Sequence, residues 1–174
     1  PKENYLDVGL GKNCYIDNNL DITDKRGYLK NLHLAQIIKY SKILPNDKVL
    51  HIGGLTGYFS TLISSLCEEL HVIEENKELF KLLEHNISKT NTANISLFNH
   101  NLLDGLSDKA PFSLIIIDGP IFKITDKIKN QIAMNGGRLI YIKKIYDNLG
   151  KAYKIIRNED LYSSEYLFDV MCSY

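Results

Sequence analysis

The sequence predicts an α/β fold: a central, mostly parallel sheet with helices on both faces, closing in a C-terminal antiparallel hairpin. Three observations carry that expectation. From residue 48 onward, short apolar runs alternate with helix-spaced apolar patterns, and such alternation forces a parallel sheet covered on both sides. Phe112-Ser113-Leu114-Ile115-Ile116-Ile117-Asp118 is apolar on both faces, as a central parallel strand must be. Val49-Leu50-His51-Ile52 breaks into Gly53, Gly54 and Gly57 and then into a helical pattern, the order of a nucleotide-binding strand, turn and helix.

The opening of the chain, rich in Asn, Asp and Gly, reads as irregular. Residues 29–43 place Leu29, Leu32, Ala35, Ile37 and Ile38 at helical spacing, and Pro45-Asn46-Asp47 ends that helix. A strand is expected at 48–52, a helix at 57–67, a strand at 70–74 and a helix at 76–90. Residues 94–99 and 112–118 read as the third and fourth strands. A helix at 124–134 follows, broken by Asn135-Gly136-Gly137 before a strand from 138 to 142. Strands at 151–156 and 164–169 make the final hairpin. No repeat or composition shift divides the chain, so residues 1–174 are expected to form one domain.

Composition excludes several function classes. Lys+Arg and Asp+Glu stand at 21 each, which leaves no positive footprint for nucleic acid or an anionic membrane. Cys14, Cys67 and Cys172 are odd in number and far apart, fitting a reducing cytoplasm rather than a disulfide framework. His33, His51, His71, His85 and His100 never fall at metal-ligand spacings, so no protein-bound metal is expected. No window reaches the roughly 18 apolar residues of a membrane span, and no signal peptide is visible.

The glycine turn carries the functional signal. Residues without Cβ let the backbone bend at the strand end and let a ligand approach the N–H groups that open the next helix. The glycines fall at the first, second and fifth positions of the turn, unlike the first, third and sixth of a dinucleotide loop. Glu74 closes the following strand 21 positions after Gly53, close to the spacing expected for a carboxylate that grips ribose hydroxyls. The turn, Glu74, Asn101 and Asp118 all stand at strand carboxyl ends, where open α/β sheets bind ligands.

These residues resemble a known family. The strand-Gly-turn, Val72-Ile73-Glu74, Pro111-Phe112-Ser113-Leu114-Ile115-Ile116 and Met134-Asn135-Gly136-Gly137-Arg138-Leu139 together look like the S-adenosylmethionine-dependent class I methyltransferases, with their Rossmann-like fold. Within them the chain is most similar to the protein-L-isoaspartate O-methyltransferases. His51-Ile52-Gly53-Gly54-Leu55-Thr56-Gly57-Tyr58 resembles that family's Glu/Asp-Ile-Gly-x-Gly-[Ser/Thr]-Gly-Tyr, and the stretch from Gln131 to Leu139 its Gln-Leu-x-x-Gly-Gly-Arg-Leu. Pro1-Lys2-Glu3-Asn4-Tyr5 and Tyr15-Ile16-Asp17 are similar to its opening segment, and what precedes that segment in the family is expected to be missing here.

The resemblance implies S-adenosyl-L-methionine as cofactor. Gly53, Gly54, Thr56, Gly57 and Tyr58 would line its methionine and ribose side, Glu74 would hold the ribose hydroxyls, and Asn101 would meet the adenine. The implied reaction transfers a methyl group to a carboxylate of damaged protein, with an isoaspartyl protein or peptide as partner. It asks for positioning more than for a strong base, and Asp17, Arg26, Lys30 and Asp118 are the polar acceptor-side candidates. Four positions depart from the pattern: His51 replaces the acid before the turn, Leu55 its middle glycine, and Leu29 and Asn31 the acceptor-side hydroxyl and proline. They leave two alternatives open, a small-molecule O-methyltransferase suggested by Ile117-Asp118-Gly119-Pro120, and a non-catalytic cofactor-binding or scaffold homologue.

Overall fold

A computed structural model describes residues 1–172 of the chain. The opening is more ordered than its composition suggests. A 3-10 turn at Lys2–Tyr5 and a single helical turn, α1 (Val8–Gly11), lead into a two-stranded hairpin, β1 (Leu20–Thr23) and β2 (Arg26–Tyr28). Next come α2 (Asn31–Ser41), β3 (Lys48–Ile52), α3 (Tyr58–Ser64), β4 (Glu69–Glu74), α4 (Lys77–Ser88) and β5 (Ile95–Asn99). After a 3-10 turn, β6 (Leu114–Ile121), α5 (Asp126–Lys129), β7 (Asn135–Tyr146), β8 (Leu149–Asn158) and β9 (Leu161–Met171) complete the chain.

The main sheet runs β5-β4-β3-β6-β7-β8-β9. Pairs from β5 to β7 are parallel, and β8 and β9 join antiparallel, which is the expected mostly parallel sheet ending in a hairpin. Successive residues of each strand serve opposite cores. Val49, Leu114, Ile116 and Ile140 pack with the apolar stripes of α2, α3 and α4, among them Ile37, Phe59, Ile63 and Leu83. Leu50, Ile52, Ile115, Ile117 and Leu139 pack with Phe112, Ile128 and Ile132 on the other face. That second face has a thin cover of α5 and the loops beside it.

The expected helix over 124–134 is a single turn, for a local reason. Thr125 caps it, its Oγ1 accepting from the Ile128 N–H, and Gln131 then leaves the helical path. The Phe112 N–H donates to the Gln131 carbonyl at 2.8 Å, and the Ala133 N–H donates back to Phe112 at 2.8 Å. Strand-like pairing with Phe112 thus replaces further helix, and Asn135-Gly136-Gly137 becomes the start of β7 rather than a break before it. A Cβ on Gly137 would lie 2.3 Å from the Ala133 carbonyl oxygen, so only glycine fits this approach.

At the amino ends of the strands, Asp47 is buried against Arg138, and its carboxylate also accepts from the Leu44 N–H at 2.7 Å and the Ser113 hydroxyl at 2.8 Å. The opposite, carboxyl end of the sheet is left to carry the site.

His71 on β4 is buried between Phe98 and Phe112, and burial holds its ring below the ordinary value of about 6.5. An unfolded histidine takes up its proton at the ordinary value, while the native one resists, so stability falls as pH drops through about 6.5. His33, shifted the same way by burial, adds to the fall. Urea unfolding between pH 7.5 and 5.5 is expected to show this loss, and His71→Leu to flatten it; an unchanged slope in the variant would contradict the assignment.

Candidate cofactor site

Strand order reverses between β3 and β6, and a crevice of about 230 Å³ opens there at the carboxyl ends of the strands. Ile52, Gly53, Leu55, Leu102, Leu103 and Ile117 give it apolar walls, and Arg26 and Asp118 bring charge to it. Its volume is below the roughly 300–1,000 Å³ of pockets that enclose a drug-sized ligand.

The glycine turn forms because β3 must hand its chain to α3 within five residues. Gly53 and Gly57 take φ of +96° and +98°, open to glycine without strain, and Leu55 takes +50°, a conformation uncommon for a branched residue. Both Gly53 and Gly54 donate to the Ile73 carbonyl, at 2.9 and 3.1 Å, which binds the turn to β4. Gly54 and Gly57 face Val72, Leu83 and Ile87 of the core, so of the three glycines of this turn Gly53 is the one that lines the crevice.

Glu74 is fully buried beside this turn. Arg26 grips both of its oxygens: Nη1 donates to Oε1, and Nη2 to Oε2 at 2.8 Å. The Asn76 N–H donates to Oε1 at 2.9 Å and the Leu55 N–H to Oε2 at 3.0 Å. Four donors thus fill the roughly four lone-pair positions of an ionised carboxylate. Two residues along, on the same face of β2, the Tyr28 phenol oxygen accepts from the N–H groups of Thr56 at 3.3 Å and Tyr58 at 3.1 Å, which open α3. Burial pushes the Tyr28 phenol far above its ordinary range, so it stays protonated.

A second buried constellation backs the crevice. His51 Nε2 lies 3.2 Å from Asp118 Oδ1, and His51 Nδ1 lies 2.8 Å from the Ser60 hydroxyl. A carboxylate only accepts, so His51 Nε2 donates to Asp118, while Nδ1 holds the Ser60 hydroxyl. His51 thereby fixes Asp118 at the carboxyl-end segment of β6, on the wall of the crevice.

The other expected site residues lie elsewhere. Thr56 and Tyr58 turn toward Tyr28 and the opening segment: Thr56 Oγ1 is 3.0 Å from the Tyr28 hydroxyl, the Thr56 carbonyl accepts from Asn86, and the Tyr58 ring packs edge-on against Tyr5 and Tyr28. Asn101 is exposed and closes a turn, its Oδ1 accepting from the Leu103 N–H at 2.8 Å, while the neighbouring Leu102 and Leu103 supply the wall. Lys30 and the exposed Asp17 meet each other at 3.4 Å and are not among the crevice residues. Leu29 is buried, and Asn31 accepts from Lys2 Nζ at 2.8 Å. Tyr28, Ser60, Leu102, Leu103, Lys25 and Lys123 were not singled out from sequence. The alternation of Arg26 and Tyr28 around a glycine was the one available signal for the first of them.

In kind and place these residues fit the nucleoside end of S-adenosylmethionine: a buried carboxylate at a strand end, a glycine turn beside it, and an apolar slot. The fit requires Arg26 to leave Glu74, because no lone pair of the carboxylate is left for a diol. Among the described residues, no three His, Cys, Asp or Glu side chains converge on a metal position.

Comparison with known proteins agrees with this frame. A family model described as Protein-L-isoaspartate(D-aspartate) O-methyltransferase matches residues 1–170. The chain is 28% identical over 140 residues to a protein-L-isoaspartate O-methyltransferase of Koribacter versatilis (strain Ellin345), covering 80% of this chain and 63% of that protein. It is 26% identical over 170 residues to one of Shewanella halifaxensis (strain HAW-EB4), covering 98% of this chain and 79% of that protein. A solved protein-L-isoaspartate O-methyltransferase superposes with a TM-score of 0.82 at 15% identity, over 98% of this chain and 56% of its own, a likeness of fold.

Glu74→Gln keeps the size of the side chain but removes the charge that Arg26 and two backbone N–H groups share. Breaking one partner of a buried pair is expected to lower the unfolding free energy by about 3 kcal/mol, read by urea denaturation at pH 7. A loss below about 0.5 kcal/mol would show that the carboxylate is not the tie described.

Proposed function

The chain belongs to the protein-L-isoaspartate (D-aspartate) O-methyltransferase family, and we propose that it is an S-adenosylmethionine-dependent methyltransferase acting on a carboxylate of isoaspartyl protein or peptide. One observation carries the reading: Gly53, Asp118 and Arg26, whose guanidinium covers the buried Glu74, line one crevice at the switch point, in a chain whose family model runs almost end to end. The chain spans 63% of the Koribacter relative and 56% of the solved structure, and residues 1–174 are taken as one methyltransferase domain.

When bound, the cofactor supplies an electrophilic methyl group on a sulfonium. Everything else falls to the protein. Glu74 would hold the ribose hydroxyls after Arg26 withdraws, and Ile52, Leu102 and Leu103 would exclude water from the base. The acceptor carboxylate is already ionised near neutral pH, so orientation, not proton removal, supplies the acceleration. Asp118, fixed by His51, orients groups at the crevice wall, and Lys25 and Lys123 stand at the same crevice as cations for an acceptor carboxylate. Equal numbers of acidic and basic residues support a protein acceptor over nucleic acid. The free, buried Cys14, Cys67 and Cys172 support a reducing compartment, and the reading places the protein in the cytoplasm. No helix among the described residues is long and apolar enough to cross a membrane.

Incubation with methyl-labelled cofactor and an isoaspartyl peptide is expected to give base-labile methyl ester on the peptide. Gly53→Asp puts a strained carboxylate into the crevice and should lower the rate by at least about a hundredfold. Label at or below the Gly53→Asp level in the unmodified protein would overturn the reading.

A further inference from the structure

Resting on that cofactor reading, we infer that β2 is an internal occupant of the site: Arg26 takes the place of the ribose hydroxyls on Glu74 and sets the affinity for the nucleoside. The stoichiometry of donors leads to this. A diol needs acceptor positions on Glu74, and the guanidinium fork together with the Leu55 and Asn76 N–H groups uses them all. Only the two guanidinium donors can leave, since the N–H donors belong to the turn and to the start of α4. Arg26 also stands against the open side of the turn, with Nη2 3.3 Å from where a Cβ on Gly53 would lie. Nucleoside and guanidinium therefore claim one position.

The hairpin that carries Arg26 is built to be both specific and releasable. Gly27 packs so tightly on β1 that a Cβ would lie 2.2 Å from the Leu20 carbonyl oxygen, which fixes Arg26 and Tyr28 on the inward face. Tyr28 anchors that face through its bonds to the Thr56 and Tyr58 N–H groups. Yet β1 and β2 make a sheet of their own with four and three residues, too short to be stable except by what they dock against. Side-chain exposure of 26% leaves Arg26 a path to solvent when its place is taken. Binding then proceeds by exchange, and the measured affinity is the intrinsic one reduced by the fraction of molecules with Arg26 released.

Calorimetric titration of the whole chain with S-adenosylhomocysteine tests this, using the unmodified protein, Arg26→Ala and Arg26→Gln, each checked for folding by circular dichroism. Both variants are expected to bind at least about tenfold more tightly than the unmodified protein. Equal or weaker binding by the folded variants would overturn the competition and leave the cofactor reading standing. Binding by none of the three at millimolar ligand would overturn both. Should the variants not fold, hydrogen exchange on the unmodified protein decides: saturating ligand is expected to speed exchange at residues 26–28, and unchanged or slower exchange there would overturn the inference.

Discussion

A carboxylate without solvent is tolerated in a protein only when donors meet its lone pairs, because an uncompensated buried charge costs several kcal/mol. Glu74 stands under that constraint at the carboxyl end of β4, and the surroundings of the crevice follow from it. The constraint draws the Leu55 N–H inward and so sets the unusual turn. It draws the Asn76 N–H as well, which places Asn76 to cap α4 through Oδ1 with the N–H groups of Glu78 and Leu79. It also holds Arg26, and with Arg26 the hairpin of β1 and β2, over the switch point.

The polar groups at the carboxyl ends of β3, β4 and β6 are here largely engaged by the chain itself. Tyr28 receives the N–H groups at the start of α3, Arg26 satisfies the carboxylate, and His51 holds Asp118. Lys2 reinforces the arrangement from the opening segment, its ammonium 5.3 Å from the centroids of both the Tyr28 and Tyr58 rings. The departures from the family pattern each have a place in this chain's own packing, Leu29 in the buried core. His51 needs Ser60 and Asp118, Leu55 belongs to the turn that serves Glu74, and Asn31 receives Lys2.

Strands and long helices were legible in the sequence because apolar period and glycine placement are local signals. β3, β4 and β5, with α2 to α4, fall within a few residues of expectation. The opening hairpin was not legible, since three- and four-residue strands carry too little pattern. Ile124, Ile128 and Ile132 are all buried at helical spacing, yet pairing with Phe112 overrides the helix after Asn130. In the site, the spacing from Gly53 pointed to Glu74, while its partner lay 48 residues away and could be named only as an acceptor-side candidate. His51 and Asp118, 67 residues apart, were each noticed for separate reasons, and their contact exists only in three dimensions.

The most direct measurement of the central claim is a double-mutant cycle on stability with Arg26→Gln, Glu74→Gln and the double variant at pH 7. If the Arg26–Glu74 pair holds the hairpin over the switch point, the two changes should be coupled by about 1.5 kcal/mol or more. Effects that add within about 0.5 kcal/mol would mean that the two residues stand side by side without holding each other, and the account would be wrong.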